Sequence, residues 1–294
     1  MTTLEKQDSI QSMTNSPFIT FITRCCYRPN MMRIAINSAL AQTDRDFEIV
    51  LIPDMKKRGV KWANKQFGLN TNRVDGRYVY TLDDDSKIVD RELIKRLKKI
   101  STQPGIVMVK CYRPQIAPHI LPKPYVWGQR DKLRVATTNG GCFIVRADVW
   151  KRHAHAYGIP GSGDWNFLST VKRDRSIEFF WVNVVAKEPQ QLGRGKKFEK
   201  CGKGWLNEVV KEFGFKEVAP GDWRLRGMDW KKRVVAVKKP VLAKVIVAKK
   251  KKKKKKKTVL KRITKIPSIM AKRVPVRRSK KNNETPKHSL PSRR

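Results

Sequence analysis

Arg77-Tyr-Val-Tyr-Thr-Leu-Asp-Asp-Asp85 decides how this chain is read. A run suited to a buried strand ends in three consecutive aspartates, Asp83, Asp84 and Asp85, in a 294-residue chain of formal net charge +42. Carboxylates packed this closely repel one another unless a cation sits among them, and a divalent ion with hard oxygen ligands is the usual resident. The carboxyl end of a strand is also where open α/β sheets bind ligands. The cluster therefore points to a metal–phosphate site. The competing reading is an acidic turn that closes a hairpin.

Upstream, Phe18-Ile-Thr-Phe-Ile-Thr-Arg24 suits a buried strand. Pro29 and Asn30 open a helix, with Asn30 as the expected N-cap and Met31, Ile34, Ala35, Ser38 and Ala39 on one face. Phe47-Glu-Ile-Val-Leu-Ile52 is a second strand ending at Pro53-Asp54, and a basic turn with Gly59 leads to a helix over Val60–Phe67. Downstream, Asp90 caps a helix with Leu93, Ile94, Leu97 and Ile100 on one side. Gly105–Val109 reads as a strand, and residues 112–127, with Pro114, Pro118, Pro122 and Pro124, as an extended loop. Asn139-Gly-Gly141 leads into a strand over Cys142–Val145, followed by a helix over Ala147–His153 and a glycine-rich loop, Gly158–Gly163. A helix from Asp164, a strand over Ile177–Val182 and a helix over Gly204–Phe213 complete the pattern.

Alternating strands and helices predict an α/β fold, a Rossmann-like, mainly parallel sheet flanked by helices. No G-x-G-x-x-G follows the first strand and no Walker motif occurs, which disfavours dinucleotide dehydrogenases and P-loop enzymes.

The charge divides into two features. Residues 231–294 hold 27 Lys plus Arg against one acid, Glu284, whereas the first 230 hold 40 against 24. Lys249–Lys257 is an unbroken run of nine lysines, whose self-repulsion opposes any compact structure. Residues 231–294 are therefore expected to be a disordered polycation, similar in composition to linker-histone tails. Such a tail binds polyanions by counterion release, with DNA or RNA the first target and an anionic membrane surface the second. A solubilising appendage or localisation signal is the plainer reading.

Five cysteines without C-x-x-C spacing suit reduced thiols in a cytoplasm. Residues 1–16 are polar and read as a flexible N-terminus rather than a signal peptide, and no stretch is apolar enough to span a bilayer. The chain is thus expected to be soluble and cytoplasmic, with a globular part over residues 17–230.

In order, these segments resemble the GT-A glycosyltransferases, especially the family 2 type. The resemblance rests on Ile22-Thr-Arg-Cys-Cys-Tyr-Arg-Pro29, Ala35-Ile-Asn-Ser-Ala-Leu-Ala-Gln-Thr43, Asp46-Phe-Glu-Ile-Val50 and Gly76–Asp85, whose strand ends like the family's DxD motif. Asn139-Gly-Gly-Cys-Phe-Ile-Val-Arg146 with Asp148-Val-Trp150 is similar to the donor-sugar strand and following helix. It covers residues 18 to about 180. Two departures stand out: Cys25-Cys26 replace the usual Thr-Tyr, and the second strand ends Pro53-Asp54, leaving Asp54 as the single carboxylate for the base.

The resemblance implies a metal-dependent enzyme that moves a sugar from a nucleotide-sugar donor to an acceptor hydroxyl, with Mn²⁺ or Mg²⁺ as cofactor. It places Thr23, Arg24, Asp54, Asn64, Asp83, Asp84, Gly140 and Gly141 against the donor, and Asp85 with Asp83 on the metal. Asp83 would contact the ribose or base region, Asp85 the metal, and Asp84 either; the sequence does not separate the three. Asp164, in Gly161-Ser-Gly-Asp-Trp165, resembles the acidic position that serves as acceptor base, and it is equally a good helix N-cap. Arg24, Arg28 and Arg73 are candidates for phosphate pairing. Trp165, Trp205, Trp223 and Trp230 are candidates for ring stacking, with core packing the alternative. His153 and His155 read as helix-end histidines.

Joined to the tail, the resemblance extends to phage-type DNA-glycosylating enzymes, with a hydroxymethylated base in DNA as acceptor. Two rivals remain: transfer to a glycan, lipid or protein, and a non-catalytic nucleic-acid-binding protein on a GT-A scaffold.

Overall fold

The computed structural model describes residues 16–113, 119–190, 199 and 201–230. All of them belong to the first of two units, Met1–Arg233. The N-terminal stretch before Ser16 and the basic tail expected over residues 231–294 lie outside the described residues.

Three apolar strands form the centre: β1 (Ile19–Cys25), β2 (Phe47–Pro53) and β3 (Tyr78–Thr81). β1 runs parallel to β2, from Ile19 opposite Phe47 to Cys25 opposite Pro53. It runs parallel to β3 from Ile19 opposite Tyr78 to Ile22 opposite Thr81. The crossovers are α1 (Pro29–Leu40) and α2 (Val60–Leu69). The chain continues through β4 (Ser86–Ile88), α3 (Leu93–Lys98), β5 (Ile106–Tyr112), β6 (Ile120–Leu121) and β7 (Phe143–Arg146). It then passes α4 (Ala147–His153), α5 (Gly163–Arg173), β8 (Phe179–Pro189), α6 (Trp205–Phe213), β9 (Lys216–Ala219) and β10 (Asp222–Arg226).

Among the described residues the sheet has ten strands, ordered β4-β8-β5-β7-β3-β1-β2-β10-β9, with β6 on β5. The architecture is α/β, as the alternation predicts, but the sheet is mixed rather than mainly parallel. Only β1–β2, β1–β3 and β5–β8 pair in parallel. The physical reason is the connection from β5 to β7, whose described residues carry short 3₁₀ turns and β6 instead of an α-helical crossover. β7 therefore enters antiparallel between β3 and β5.

Both faces of the sheet are covered, which is why its central strands read as continuous apolar runs. Phe21, Ile49, Tyr80, Val107 and Ile144 face the layer of α1, α3 and α6. Ile22, Ile52, Val79, Met108 and Phe143 face the layer of α2, α4 and α5. The second layer is knitted by Trp150, whose ring lies 5.3 Å from Phe67, 5.5 Å from Tyr157 and 5.6 Å from Phe167.

Helix starts differ from the sequence reading in one informative way. Pro29 takes the first turn of α1, so Arg28 rather than Asn30 is the N-cap residue, without a side-chain cap. The first-turn amides of Asn30 and Met31 donate instead to the carboxylate of Glu199, at 2.9 and 3.1 Å. This frees the Arg28 side chain for other partners.

Glu48 of β2 is fully buried and fastens β10 to its neighbour. Its Oε1 accepts from Thr20 Oγ1 (2.6 Å) and the Asp75 amide (3.0 Å), while Arg224 and Arg226 lie 3.8 Å from Oε2. Burial raises its pKa above 4.5, against the lowering effect of these hydrogen bonds and of Arg226. The folded state therefore binds this proton more tightly than the unfolded one. Its stabilising contribution is full below pH 4.5 and is lost as pH rises through the raised native value. Urea unfolding from pH 4 to 8 is expected to show Glu48→Gln gaining on wild type as pH rises; a constant difference would contradict this.

Candidate functional site

The carboxyl ends of β1, β2 and β3 are bonded to one another beyond the ladder. The Asp54 amide donates to Cys25 O (2.8 Å) and the Asp84 amide to Arg24 O (3.1 Å). The Cys26 amide donates to Asp84 Oδ2 at 2.9 Å. This stitching brings Arg24, Arg28, Asp54 and the three aspartates to one wall.

Two arginines divide the aspartates between them. Arg24 Nε donates to Asp83 Oδ1 at 2.7 Å, its Nη1 donates to Asn64 Oδ1, and the guanidinium lies 4.5 Å from the Phe67 ring centre. Arg28 forks onto Asp84, with Nε 3.1 Å from Oδ2 and Nη2 on Oδ1, and reaches Asp85 Oδ2 through Nη1 at 3.0 Å. The electrostatic consequences are opposite. Burial would raise Asp83, but Arg24 first, then Lys187 and Arg28, hold it at about 2. Asp84 is fully buried, and that burial pushes it up to about 7 although Arg28 opposes the shift; Asp85 and Asp83 add to it.

Asp83 forms a shared wall between two cavities. The larger, of about 450 Å³, is lined among others by Arg24, Arg28, Asp54, Trp62, Asp84 and Asp85. Asp54 is buried there and closes its own turn, accepting from the Gly59 amide (3.0 Å), the Lys56 amide (3.2 Å) and Arg58 Nε (3.2 Å). The Arg58 guanidinium stacks 3.4 Å over the Trp62 ring. The smaller cavity, of about 220 Å³, is lined by Asp83, Cys111, Asn139, Gly140, Asp164 and Lys187, with Arg113 at the same wall.

Asp164 stands in the first turn of α5, whose N-cap residue is Ser162. Its carboxylate turns inward, and Oδ2 accepts from the Gly140 amide at 2.9 Å. Gly140 leaves room for this: a Cβ there would lie 2.8 Å from Asp164 Oδ1 and 3.0 Å from Cγ. Gly141 is held by Asn139 Oδ1 (2.9 Å), and a Cβ there would meet Cys111 Sγ at 3.0 Å. Gly140→Ala is expected to keep the fold while turning Asp164 away from the cavity. Far-ultraviolet circular dichroism should stay unchanged while the sugar transfer that the resemblance implies falls roughly tenfold or more; unchanged transfer would show that the placement of Asp164 is unimportant.

The structure thus brings Arg24, Arg28, Asp54, Asp83, Asp84 and Asp85 together in one cavity, and Gly140, Gly141 and Asp164 in the other. Asn64 is buried behind them, joined to Arg24. Thr23 lies outside both linings: it is fully buried, and strand alternation puts it with Phe21 and Cys25 on the α1 side. Arg73 is also elsewhere, donating to Gly221 O at 3.0 Å and facing Asp222. Trp205 and Trp230 pack against Tyr27 and Phe213, and Trp165 and Trp223 against the two cores, so none of the four lines either cavity. His153 pairs with Asp174 at a helix end, 3.7 Å away.

Sequence reasoning missed Lys187, Gln190, Trp62 and Arg113. Lys187 is buried and donates to Thr81 O at 2.7 Å, under the aspartate turn. Gln190 Nε2 donates to the carbonyls of Met31, Asp84 and Ser86, pinning that turn from below. Both follow a stretch read as a shorter strand; β8 runs on to Pro189.

Among the described residues no group of three or more His, Cys, Asp or Glu side chains is placed to hold a metal ion. Asp83 and Asp85 nonetheless suit Mg²⁺ or Mn²⁺ by donor chemistry. Such ions are commonly held by one or two carboxylates, with waters and substrate phosphates completing the shell. Asp85 lines the larger cavity and is partly exposed.

No protein-family model matches the chain, and no curated protein matches it. Among solved structures it is similar to S. aureus TarS 1–349, at 12% identity and TM-score 0.47, over 58% of this chain and 60% of that one. The same TarS fragment in complex with UDP-GlcNAc shows 12% identity and TM-score 0.46, over 66% and 64%. The mannosyltransferase PcManGT from Pyrobaculum calidifontis, in complex with GDP-Man and Mn²⁺, shows 14% identity and TM-score 0.46, over 65% of each chain. No described helix is long and apolar enough to cross a membrane.

Proposed function

We propose that this chain is a GT-A-type glycosyltransferase, moving a sugar from a nucleotide-sugar donor to an acceptor hydroxyl. One observation carries the reading: two cavities meet at Asp83, one with arginines and an aromatic ring, the other with Asp164 on the Gly140 amide. A nucleoside diphosphate fits the first by chemistry. Trp62 offers a stacking surface, and Arg24 and Arg28 offer charge for phosphate, while Asp54, whose oxygens already accept from Gly59, Lys56 and Arg58, holds the turn beside them instead of meeting the base. The sugar then reaches past Asp83 into the second cavity.

There, one oxygen of Asp164 is fixed by Gly140 and the other takes the proton of the acceptor hydroxyl. As that hydroxyl oxygen attacks the anomeric carbon, the bond from this carbon to the diphosphate oxygen breaks. The electron pair leaves with the diphosphate, so atoms and charge balance. Asp85, with Asp83, would hold a Mn²⁺ or Mg²⁺ ion. When bound, such an ion neutralises the departing diphosphate. Lys187, under the Asp83 turn, and the bonded strand ends keep the carboxylates in place.

The transferase domain spans roughly residues 17–230, and the tail over 231–294 brings a polyanionic acceptor to it. The acceptor we propose is a hydroxymethylated base in DNA, supported by the 27 basic residues against one acid in that tail. Transfer of labelled sugar to hydroxymethylated DNA, and not to lipid, glycan or protein extracts, tests this. Transfer to one of those extracts alone would overturn the DNA acceptor but not the transferase reading.

A further inference from the structure

A cation approaching the aspartates meets a guanidinium already in place. Arg28 is bound to the buried Asp84 through two nitrogens and to Asp85 Oδ2 through the third, at 3.0 Å. These two contacts are unequal. Asp84 is fully buried and holds the Cys26 amide at 2.9 Å, so it is fixed in the wall. Asp85 is 31% exposed on the cavity side, so its contact with Arg28 is the one that can open. The backbone of Arg28 is fixed as the cap of α1, its carbonyl accepting from the Met32 amide at 2.9 Å, so only the side chain can move.

We infer that Arg28 is an interlock, which holds Asp85 against a divalent cation until a nucleoside diphosphate arrives. The inference rests on the donor-site reading given above. A lone divalent ion at Asp85 would lie against the Arg28 charge, and no third protein carboxylate, His or Cys among the described residues completes its shell. A diphosphate removes both obstacles. Its oxygens complete the coordination shell, and they give the Arg28 Nη1 donor a new acceptor in place of Asp85. Metal and nucleotide then bind as a pair, and each raises the affinity for the other by the same factor. A metal site that stays closed without donor would also spare the enzyme unproductive cation binding at the centre of a fixed charge network.

The test is Mn²⁺ binding to the full-length chain, followed by the electron paramagnetic resonance signal of the free ion, with and without UDP, GDP, CDP or ADP. Wild type, Arg28→Gln, Arg28→Lys and Arg58→Gln are compared. Arg58 is the control because it pairs with Asp54 in the same cavity, so its loss removes equal charge from a different carboxylate. In wild type, Mn²⁺ alone should bind at least about tenfold more weakly than with the best nucleotide. Arg28→Gln should raise the affinity for Mn²⁺ alone roughly tenfold and shrink the coupling, while Arg58→Gln leaves both within about threefold.

Equal shifts in Arg28→Gln and Arg58→Gln, or none in Arg28→Gln, overturn the interlock. If Mn²⁺ with nucleotide still binds in that case, the donor-site reading stands. Absence of Mn²⁺ binding with every nucleotide overturns the metal assignment and the interlock together. If Arg28→Gln shows no cooperative thermal transition, Arg28→Lys decides. A lysine keeps the charge but cannot span both carboxylates as the fork does, so affinity for Mn²⁺ alone should still rise about threefold. No rise overturns the inference.

Discussion

Asp164→Asn is expected to lower sugar transfer by about 10²–10⁴-fold while leaving donor binding intact. Asparagine has the shape of aspartate, and its Oδ1 can still accept from the Gly140 amide, so the start of α5 is preserved. What it loses is the ability to take a proton. The helix-start role of Asp164 predicts something different: a modest loss of stability, about 0.3–1 kcal/mol from the macrodipole, with transfer and binding falling together. Measured kcat, nucleotide affinity and thermal midpoint separate the two. A variant that binds nucleotide normally, melts within a few degrees of wild type and turns over slowly marks the base. A variant that turns over normally removes Asp164 from the chemistry.

The second large effect is on stability. Trp150→Ala is expected to cost about 3–5 kcal/mol, because the ring is fully buried among Phe67, Tyr157 and Phe167. These neighbours belong to α2, α5 and the turn between α4 and α5, the pieces that carry Asn64 and Asp164. A cavity there should loosen the smaller cavity of the site as well as the core. Trp150→Phe isolates the packing term: the indole Nε1 has no hydrogen-bond partner in its buried position, so its removal costs little beyond lost volume. Urea unfolding is the measurement. A loss below about 1 kcal/mol in Trp150→Ala would mean that the aromatic cluster collapses around the gap, contrary to the close packing described.

Much of this site was written in plain sequence. β1, β2 and β3 announce themselves because a strand covered on both faces must be apolar throughout, and each is bounded by Pro, Gly or acidic residues. Asp83–Asp85, Arg24, Arg28 and Asp54 were legible because they sit where those runs stop. Asp164 was legible through the glycine loop before it.

The rest depended on tertiary placement. The antiparallel entry of β7 is a consequence of a connection with no α-helix among its described residues, and Phe143–Arg146 reads the same in either direction. Thr23 follows the pattern of its strand, yet alternation turns it toward α1 and away from the cleft. Lys187 and Gln190 are distant in sequence from everything they hold, and a buried lysine in a charged chain has no local signature. Arg28 was visible as a phosphate candidate, but its grip on Asp84 and Asp85 required the cap of α1 to shift by two residues, which Pro29 and Glu199 arrange. Trp62 looked like an ordinary member of a helix until the fold set it in the lining of the cavity.

The two cavities meeting at Asp83 are proposed to form one nucleotide-sugar transfer site. The most direct measurement is release of nucleoside diphosphate when the purified chain is incubated with a panel of nucleotide sugars and Mn²⁺, in parallel with Asp164→Asn. Wild type is expected to release diphosphate from at least one donor, and the variant to bind this donor but release the diphosphate far more slowly. Failure of the folded wild-type protein to bind or cleave any donor in the panel, or equal release by the variant, would contradict this proposal.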